Sequence, residues 1–164
     1  KAKKKISVAL KHDYYYQNRE WIYKDIKPLV FAEQFLTDNE TDLLWDYKFF
    51  CFNGKPRLMY IEKEAADNKT AAFFDMDKNF LDLEIDDPRP SVPPVLPDCF
   101  DRMKDISAIL SEGIPFLRVD FFYIKGKIYV GEMTFFHDGG FAKIREQEWN
   151  LKMGSWIDLS GIKK

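Results

Sequence analysis

The 164-residue chain has little of several features that mark large classes of protein. It has only two cysteines, Cys51 and Cys99, which form neither a CxxC pair nor a metal-binding spacing. Two thiols in a chain of this size favour free, buried side chains in a reducing compartment over a disulfide framework. No run of residues approaches the roughly 18 apolar positions that a membrane-spanning helix needs. The opening KAKKKISVALK also lacks the apolar core and cleavage site of a signal peptide.

The charge balance is close to neutral. Lysine and arginine number 25 and the acids 27, giving a formal net charge of −2. The overall charge therefore gives no reason to expect binding to nucleic acid or to an anionic membrane. A local site for an anionic ligand stays possible. The length suits a single domain or a large piece of one. Because the chain begins at Lys1 and not at Met, we expect it to be part of a longer protein.

Turn dipeptides between apolar runs predict two β-hairpins. Asn53-Gly54 separates predicted strands at residues 46–52 and 56–62, and Lys125-Gly126 separates the two halves of FLRVDFFYIKGKIYVGEMT. Another apolar run, LVFAEQFL at residues 29–36, predicts a strand that carries Glu33. The stretch that begins AADNKTAAFF adds a further short strand.

Helices are predicted from the spacing of apolar residues. Apolar side chains recur at intervals of three and four after Pro97-Asp98, up to a stop at Gly113: Phe100, Met103, Ile106, Ile109 and Leu110. A final helix is expected within residues 141–153, and DPRPSVPPVLPD predicts an extended connector. The fold class is therefore α+β, an antiparallel β-sheet with flanking helices.

The second hairpin carries an acid in each apolar strand, Asp120 and Glu132. Since side chains alternate along a strand, Arg118 shares a face with Asp120, and Thr134 shares one with Glu132. Two neighbouring carboxylates repel unless something neutralises them. Arg118 would serve one of them, whereas a divalent cation such as Mg²⁺ with nucleotide phosphates would serve both. The alternative is a salt network on an exposed face of the sheet.

Two other positions are candidates for a site. Lys48 shares a face with Asp46 and Phe50, and an inward-facing lysine needs an anionic partner. That partner is either a ligand phosphate or a protein acid. His137 opens the loop HDGGF, where Gly139 and Gly140 permit close approach of the backbone to a ligand. The histidine would steer a carboxylate or accept a proton, or it is simply a surface residue.

The stretch RVDFFYIKGKIYVGEMTFF resembles the C-terminal signature of ATP-grasp enzymes. Together with REWIYKDIKPLVFAEQFL, DYKFFCFNGKPRLMYIEKE and the closing GSWIDLS, it is similar to the TupA-like ATP-grasp group. The resemblance implies that Asp120 and Glu132 bind Mg²⁺ and that Arg118 contacts phosphate. The third metal position, Asn in the ligases, is Thr134 here, so its hydroxyl or a water would take that place.

The resemblance extends to nucleotide and substrate contacts. Glu33-Gln34-Phe35-Leu36 resembles the hinge strand, in which the backbone of Phe35 and Leu36 would meet adenine and Glu33 would hold an amine or ribose. The alternative for Glu33 is an acid at the edge of a sheet. The loop with Gly139 and Gly140 resembles the loop that receives the acceptor substrate.

The resemblance implies an ATP- and Mg²⁺-dependent carboxylate–amine (or thiol) ligase of bacterial cell-surface polysaccharide biosynthesis, acting in the cytoplasm. Its partners would be nucleotide and a small molecule or polysaccharide precursor. A non-catalytic nucleotide-binding scaffold remnant and a glycosyltransferase are the alternatives. A complete ATP-grasp site also takes phosphate contacts from a Gly-rich lid subdomain that would precede Ile6. No Gly-rich stretch lies in the first 50 residues, so we expect the C-terminal part of such a fold.

Overall fold

Five antiparallel strands form one sheet at the centre of the structure. The computed structural model describes residues 1–37, 44–65 and 68–161. The strands are β1 Asp46–Phe52, β2 Lys55–Ala65, β3 Asn68–Asp75, β4 Phe116–Ile124 and β5 Lys127–Thr134. Their order in the sheet is β3-β2-β1-β4-β5, which places β1 in the middle and β5 at an edge.

The chain also forms several helical segments. They are α1 Ala2–Ala9, α2 Tyr15–Asn18, α3 Phe100–Leu110 and α4 Gln147–Ser155, with short 3₁₀ turns at Trp21–Tyr23 and His137–Gly140. None of the helices in the described ranges is long and apolar enough to cross a bilayer. The α+β class predicted from the sequence is confirmed.

Both predicted hairpins are present, with the predicted turns. Asn53 and Gly54 join β1 to β2, and Lys125 and Gly126 join β4 to β5; all four residues have positive φ. Turns with two such residues match the twist of the strands they connect, which is why a glycine at the second position favours them.

One face of the sheet is a continuous apolar core. It packs against α3 through Phe100 and Met103, and the helix ends before Gly113, which has positive φ. The strand residues buried on this face include Tyr47, Phe49, Cys51, Met59, Ile61, Leu117, Val119 and Phe121. The helical spacing predicted for this segment is confirmed, except that Ile109 is exposed.

The opposite face has two halves of different chemistry. Phe50, Phe52 and Leu58 form an apolar half that packs against Met153 of α4. Further along the same strands the side chains become charged, beginning with Lys48 and Arg118. This charged half positions the candidate site.

The prediction of a strand in residues 29–36 is wrong. The segment has no regular secondary structure, and its apolar side chains are mostly exposed, Phe35 to 87%. An apolar run becomes a strand only when neighbouring strands complete its hydrogen bonds and cover its side chains. The last helix also begins later than expected, at Gln147, because the segment before it pairs with residues 84–86: Ile144 bridges Ile85, and the Arg145 N–H donates to the Glu84 carbonyl oxygen.

Candidate functional site

A bulge in β5 brings the two acids of the second hairpin together. Phe122 pairs with Tyr129 and Phe121 with Val130, so regular pairing would place Gly131 opposite Asp120. The register shifts at this point, and Glu132 lies opposite Asp120 instead. A side chain at position 131 would collide with the Phe122 ring, because an added Cβ would lie 2.7 Å from it. Glycine therefore allows the register on which the site depends.

Asp120 is buried and bonded to two cations of the protein. Arg118 donates from Nε to Oδ1 and from Nη2 to Oδ2, each at 2.7 Å. Lys48 donates from Nζ to Oδ2 at 2.8 Å. Bidentate, charge-assisted bonds of this kind hold both partners in a defined geometry.

Lys48 lies between Asp120 on β4 and Asp46 on its own strand. Burial lowers the pKa of Lys48, but the charges and hydrogen bonds of Asp120 and Asp46 outweigh it, and the net shift is upward. Burial also raises the pKa of Asp46, against the opposing effect of Lys48. The Asp46 Oδ1 atom is buried with no hydrogen-bond partner among the described residues. The protein itself thus supplies the anionic partner that the sequence predicted for Lys48.

The Glu132 side chain lies in a different environment from that of Asp120, the residue opposite it. It is largely exposed and accepts a hydrogen bond from Thr134 Oγ1 at 2.6 Å. The Arg118 Nη2 atom lies 3.7 Å from Glu132 Oε1. The salt network weighed from the sequence is therefore present, but it is centred on a buried Asp120 and not on an exposed face.

His137 contacts the same arginine from the other side. Arg118 Nη1 lies 2.8 Å from His137 Nδ1. Because arginine only donates, Nδ1 must accept, and the neutral ring carries its proton on Nε2, 3.3 Å from Asp138 Oδ2. Burial lowers the pKa of His137; the Asp138 charge opposes that shift and the Arg118 charge adds to it. His137 is thus a neutral acceptor that orients Arg118.

A polar pocket of about 380 Å³ opens beside these residues. Its lining includes Lys48, Arg118 and His137 together with residues that sequence reasoning did not select: Tyr60, Lys69, Asp86, Asp87 and Asp138. Asp87 is the first residue of the proline-rich connector and Asp86 directly precedes it; no local pattern indicates the path of this segment. Glu33, Phe35 and Leu36 do not line this pocket.

The loop His137–Gly140 forms only part of the wall of the polar pocket. His137 and Asp138 line the pocket, whereas Gly139 packs near Asn18 of α2, where an added Cβ would come within 3.2 Å. An added Cβ at Gly140 would meet no atom within 4 Å, and the φ of Gly140 is positive. The loop therefore presents its first residues, and not its glycines, to the polar pocket.

The oxygen atoms near Glu132 are of the chemical type that binds a hard cation. Carboxylate oxygens of Asp120 and Glu132 and the hydroxyl of Thr134 are ligands that Mg²⁺ prefers. Within the described ranges, however, no group of three or more His, Cys, Asp or Glu side chains is placed for a metal. Asp120 is already bonded to Arg118 and Lys48, so the donor set fits Mg²⁺ on condition that Asp120 exchanges a protein cation for it.

The antiparallel sheet with flanking helices and a carboxylate–arginine hairpin defines an ATP-grasp-like α+β protein. The family model described as TupA-like ATPgrasp matches residues 1–158, nearly the whole chain. The chain belongs to the TupA-like ATP-grasp family, as the sequence motifs predicted. No curated protein and no solved structure matches it significantly.

Proposed function

We propose that this chain is an ATP- and Mg²⁺-dependent carboxylate–amine (or thiol) ligase module. The observation that carries the proposal is the placement of two buried cations, Lys48 and Arg118, on the wall of a pocket next to the paired acids Asp120 and Glu132. Membership of the ATP-grasp family supports a nucleotide-binding, ligase-like module.

Lys48 and Arg118 are proposed to bind the nucleotide phosphates. Both are held in place by Asp120, and an incoming phosphate would compete with that carboxylate for them. Asp120 would then be free, with Glu132 and Thr134, to hold Mg²⁺. When bound, the ion would neutralise charge on the transferring phosphoryl group. His137 keeps the Arg118 guanidinium oriented throughout.

The proposed reaction has two steps. A substrate carboxylate oxygen attacks the γ-phosphorus of ATP, forming an acyl phosphate and releasing ADP. An amine then attacks the acyl carbon, loses a proton, and expels phosphate as the amide bond forms. Arg118 would stabilise the charge on the phosphoryl oxygens in the first step, since a preorganised guanidinium acts where negative charge develops.

The remaining roles rest on the family resemblance. Glu33, Phe35 and Leu36 are proposed to contact the adenosine, and the loop of His137, Gly139 and Gly140 to receive the acceptor. A uronic acid or amino acid destined for a bacterial surface polysaccharide is proposed as either the acceptor or the donor, in the cytoplasm.

Calorimetric titration of ATP with and without Mg²⁺ tests the proposal. Glu132→Gln is the sharpest variant because its exposed side chain can change without disturbing the buried ion pairs. We expect Mg²⁺-dependent affinity to fall about tenfold or more in this variant. Glu112→Gln, an exposed carboxylate beyond α3, is the matched control and should behave as wild type. Equal Mg²⁺ dependence in both variants would exclude Glu132 as a ligand.

A non-catalytic nucleotide-binding remnant is the second candidate. It is favoured by the bonds that already join Asp120 to Arg118 and Lys48, which occupy the carboxylate without a metal. An assay of ADP release with candidate acids and amines separates the two functions. Binding of ATP with no ADP release would support the remnant, and nucleotide-sugar consumption would instead indicate a glycosyltransferase.

A further inference from the structure

The sheet face that carries the site changes from charged to apolar along the strands. On β1, Asp46 and Lys48 are followed on the same face by Phe50 and Phe52. The change falls at one pair of opposite residues, Phe50 of β1 and Arg118 of β4. The His137 ring covers this boundary, with its centroid 4.9 Å from that of Phe50 and its Nδ1 2.8 Å from Arg118.

A second pocket lies beyond the boundary, on the apolar side. Its volume is about 490 Å³, within the range typical of small-molecule sites. The sheet, the loop after β5 and α4 form its walls, through side chains that include Phe50, Phe116, Ile144 and Met153. His137 lines this apolar pocket as well as the polar one. One histidine thus separates a charged compartment from an apolar one.

Arg118 still has capacity for an anion at this boundary. Its guanidinium has five N–H groups. Two of them bond to Asp120 and a third meets His137, which leaves two for a ligand. A carboxylate placed there would be adjacent to the proposed phosphoryl transfer, and whatever the carboxylate carries would extend past His137 toward the apolar pocket.

We propose that the acid substrate of this protein is amphipathic, with a carboxylate at Arg118 and an acyl or aryl body in the apolar pocket. The inference rests on the proposed ligase function and names the substrate class for it. Charge complementarity at one end and apolar walls at the other select this occupant. A small, fully hydroxylated acid would leave the Phe50–Met153 compartment unfilled, so the uronic acid or amino acid of the proposed polysaccharide context would be the acceptor and not this acid.

A chain-length series of fatty acids tests the proposal on the full chain. Butanoate, hexanoate, octanoate and decanoate are titrated without nucleotide, below their aggregation limits, while tryptophan fluorescence is followed; Trp21 lines the pocket. We expect affinity to rise about fourfold per added methylene, as burial of apolar surface requires. Decanol should bind about tenfold or more weakly than decanoate, because it lacks the charge that Arg118 recognises. Affinity independent of chain length, or equal for acid and alcohol, would overturn the proposal.

Gly154→Leu provides a structural check. Gly154 lines the pocket, and an added Cβ there meets no atom within 4 Å, so leucine is accommodated without a backbone clash and we expect its side chain to occupy part of the pocket. Gly161→Leu is the matched control, since its surroundings are equally open and it lies outside this lining. We expect the first variant to lose the gain from longer chains and the second to keep it. Self-association that Gly154→Leu abolishes would show that a second copy fills the pocket, against the proposal.

The outcomes separate this inference from the function on which it rests. Mg²⁺-dependent ATP binding without fatty-acid binding would overturn the substrate class and leave the ligase proposal intact. Fatty-acid binding with no ATP binding would overturn the ligase proposal, while the apolar pocket would remain a carboxylate site. Both binding measurements use the unmodified protein, so neither requires a substituted variant to fold.

Discussion

Asp120 and Glu132 are opposite residues on β4 and β5, but their side chains lie in different environments. The Asp120 side chain is 3% exposed and bonded to Arg118 and Lys48, whereas that of Glu132 is 62% exposed and bonded to Thr134. The Asp120 carboxylate is held in buried ion pairs, whereas the Glu132 carboxylate is open to solvent and to a ligand. The two acids should therefore respond differently to neutralisation.

Asp120→Asn is expected to destabilise the protein by about 3–5 kcal/mol, because it leaves Arg118 and Lys48 buried beside a neutral group. Glu132→Gln should change the free energy of unfolding by no more than about 0.5 kcal/mol, as is usual for an exposed side chain. Urea unfolding followed by circular dichroism measures both. Comparable losses in the two variants would contradict the difference in burial.

Gly131→Ala should destabilise the hairpin by about 1–3 kcal/mol, since the added methyl group would press on the Phe122 ring. Gly154→Ala is the matched control in α4, where an added Cβ meets open space. The control is expected to be neutral or stabilising by about 0.5–1 kcal/mol, because alanine favours a helix over glycine. Equal free energies of unfolding for the two variants would show that the Phe122 ring does not exclude a side chain at position 131.

His137 should make stability depend on pH. Its pKa in the folded protein is lowered from 6.5 by burial, so the unfolded chain binds the proton more readily. The stabilising contribution is thus fully present above about pH 6.5 and is lost as the pH falls from there through the lowered folded pKa.

His137→Asn removes this titration and keeps an acceptor near Arg118. Melting temperatures of wild type and variant, measured between about pH 5 and 8, should show a wild-type advantage that shrinks toward acid. Groups common to both proteins, such as Asp46, cancel in the difference. A difference independent of pH would mean that His137 stays in one protonation state over this range.

The local features of the fold were predictable because short-range chemistry decides them. Asn53-Gly54 and Lys125-Gly126 favour tight turns whatever surrounds them, and the spacing of Phe100 and Met103 produces one apolar helix face. The strand predicted at residues 29–36 was wrong because pairing, and not composition, makes a strand. The roles predicted for Glu33, Phe35 and Leu36 remain predictions.

By itself the sequence determined the α+β class, both hairpins and the family, and it selected Arg118, Asp120 and Glu132 as the predicted site. Tertiary structure decided how those residues are arranged: the bulge at Gly131 sets their register, and Lys48, 72 residues earlier in the chain, reaches Asp120. It also decided that His137 orients Arg118 at the border of two pockets. Contacts across the sheet depend on register and burial, which are properties of the packed strands together and not of any one segment.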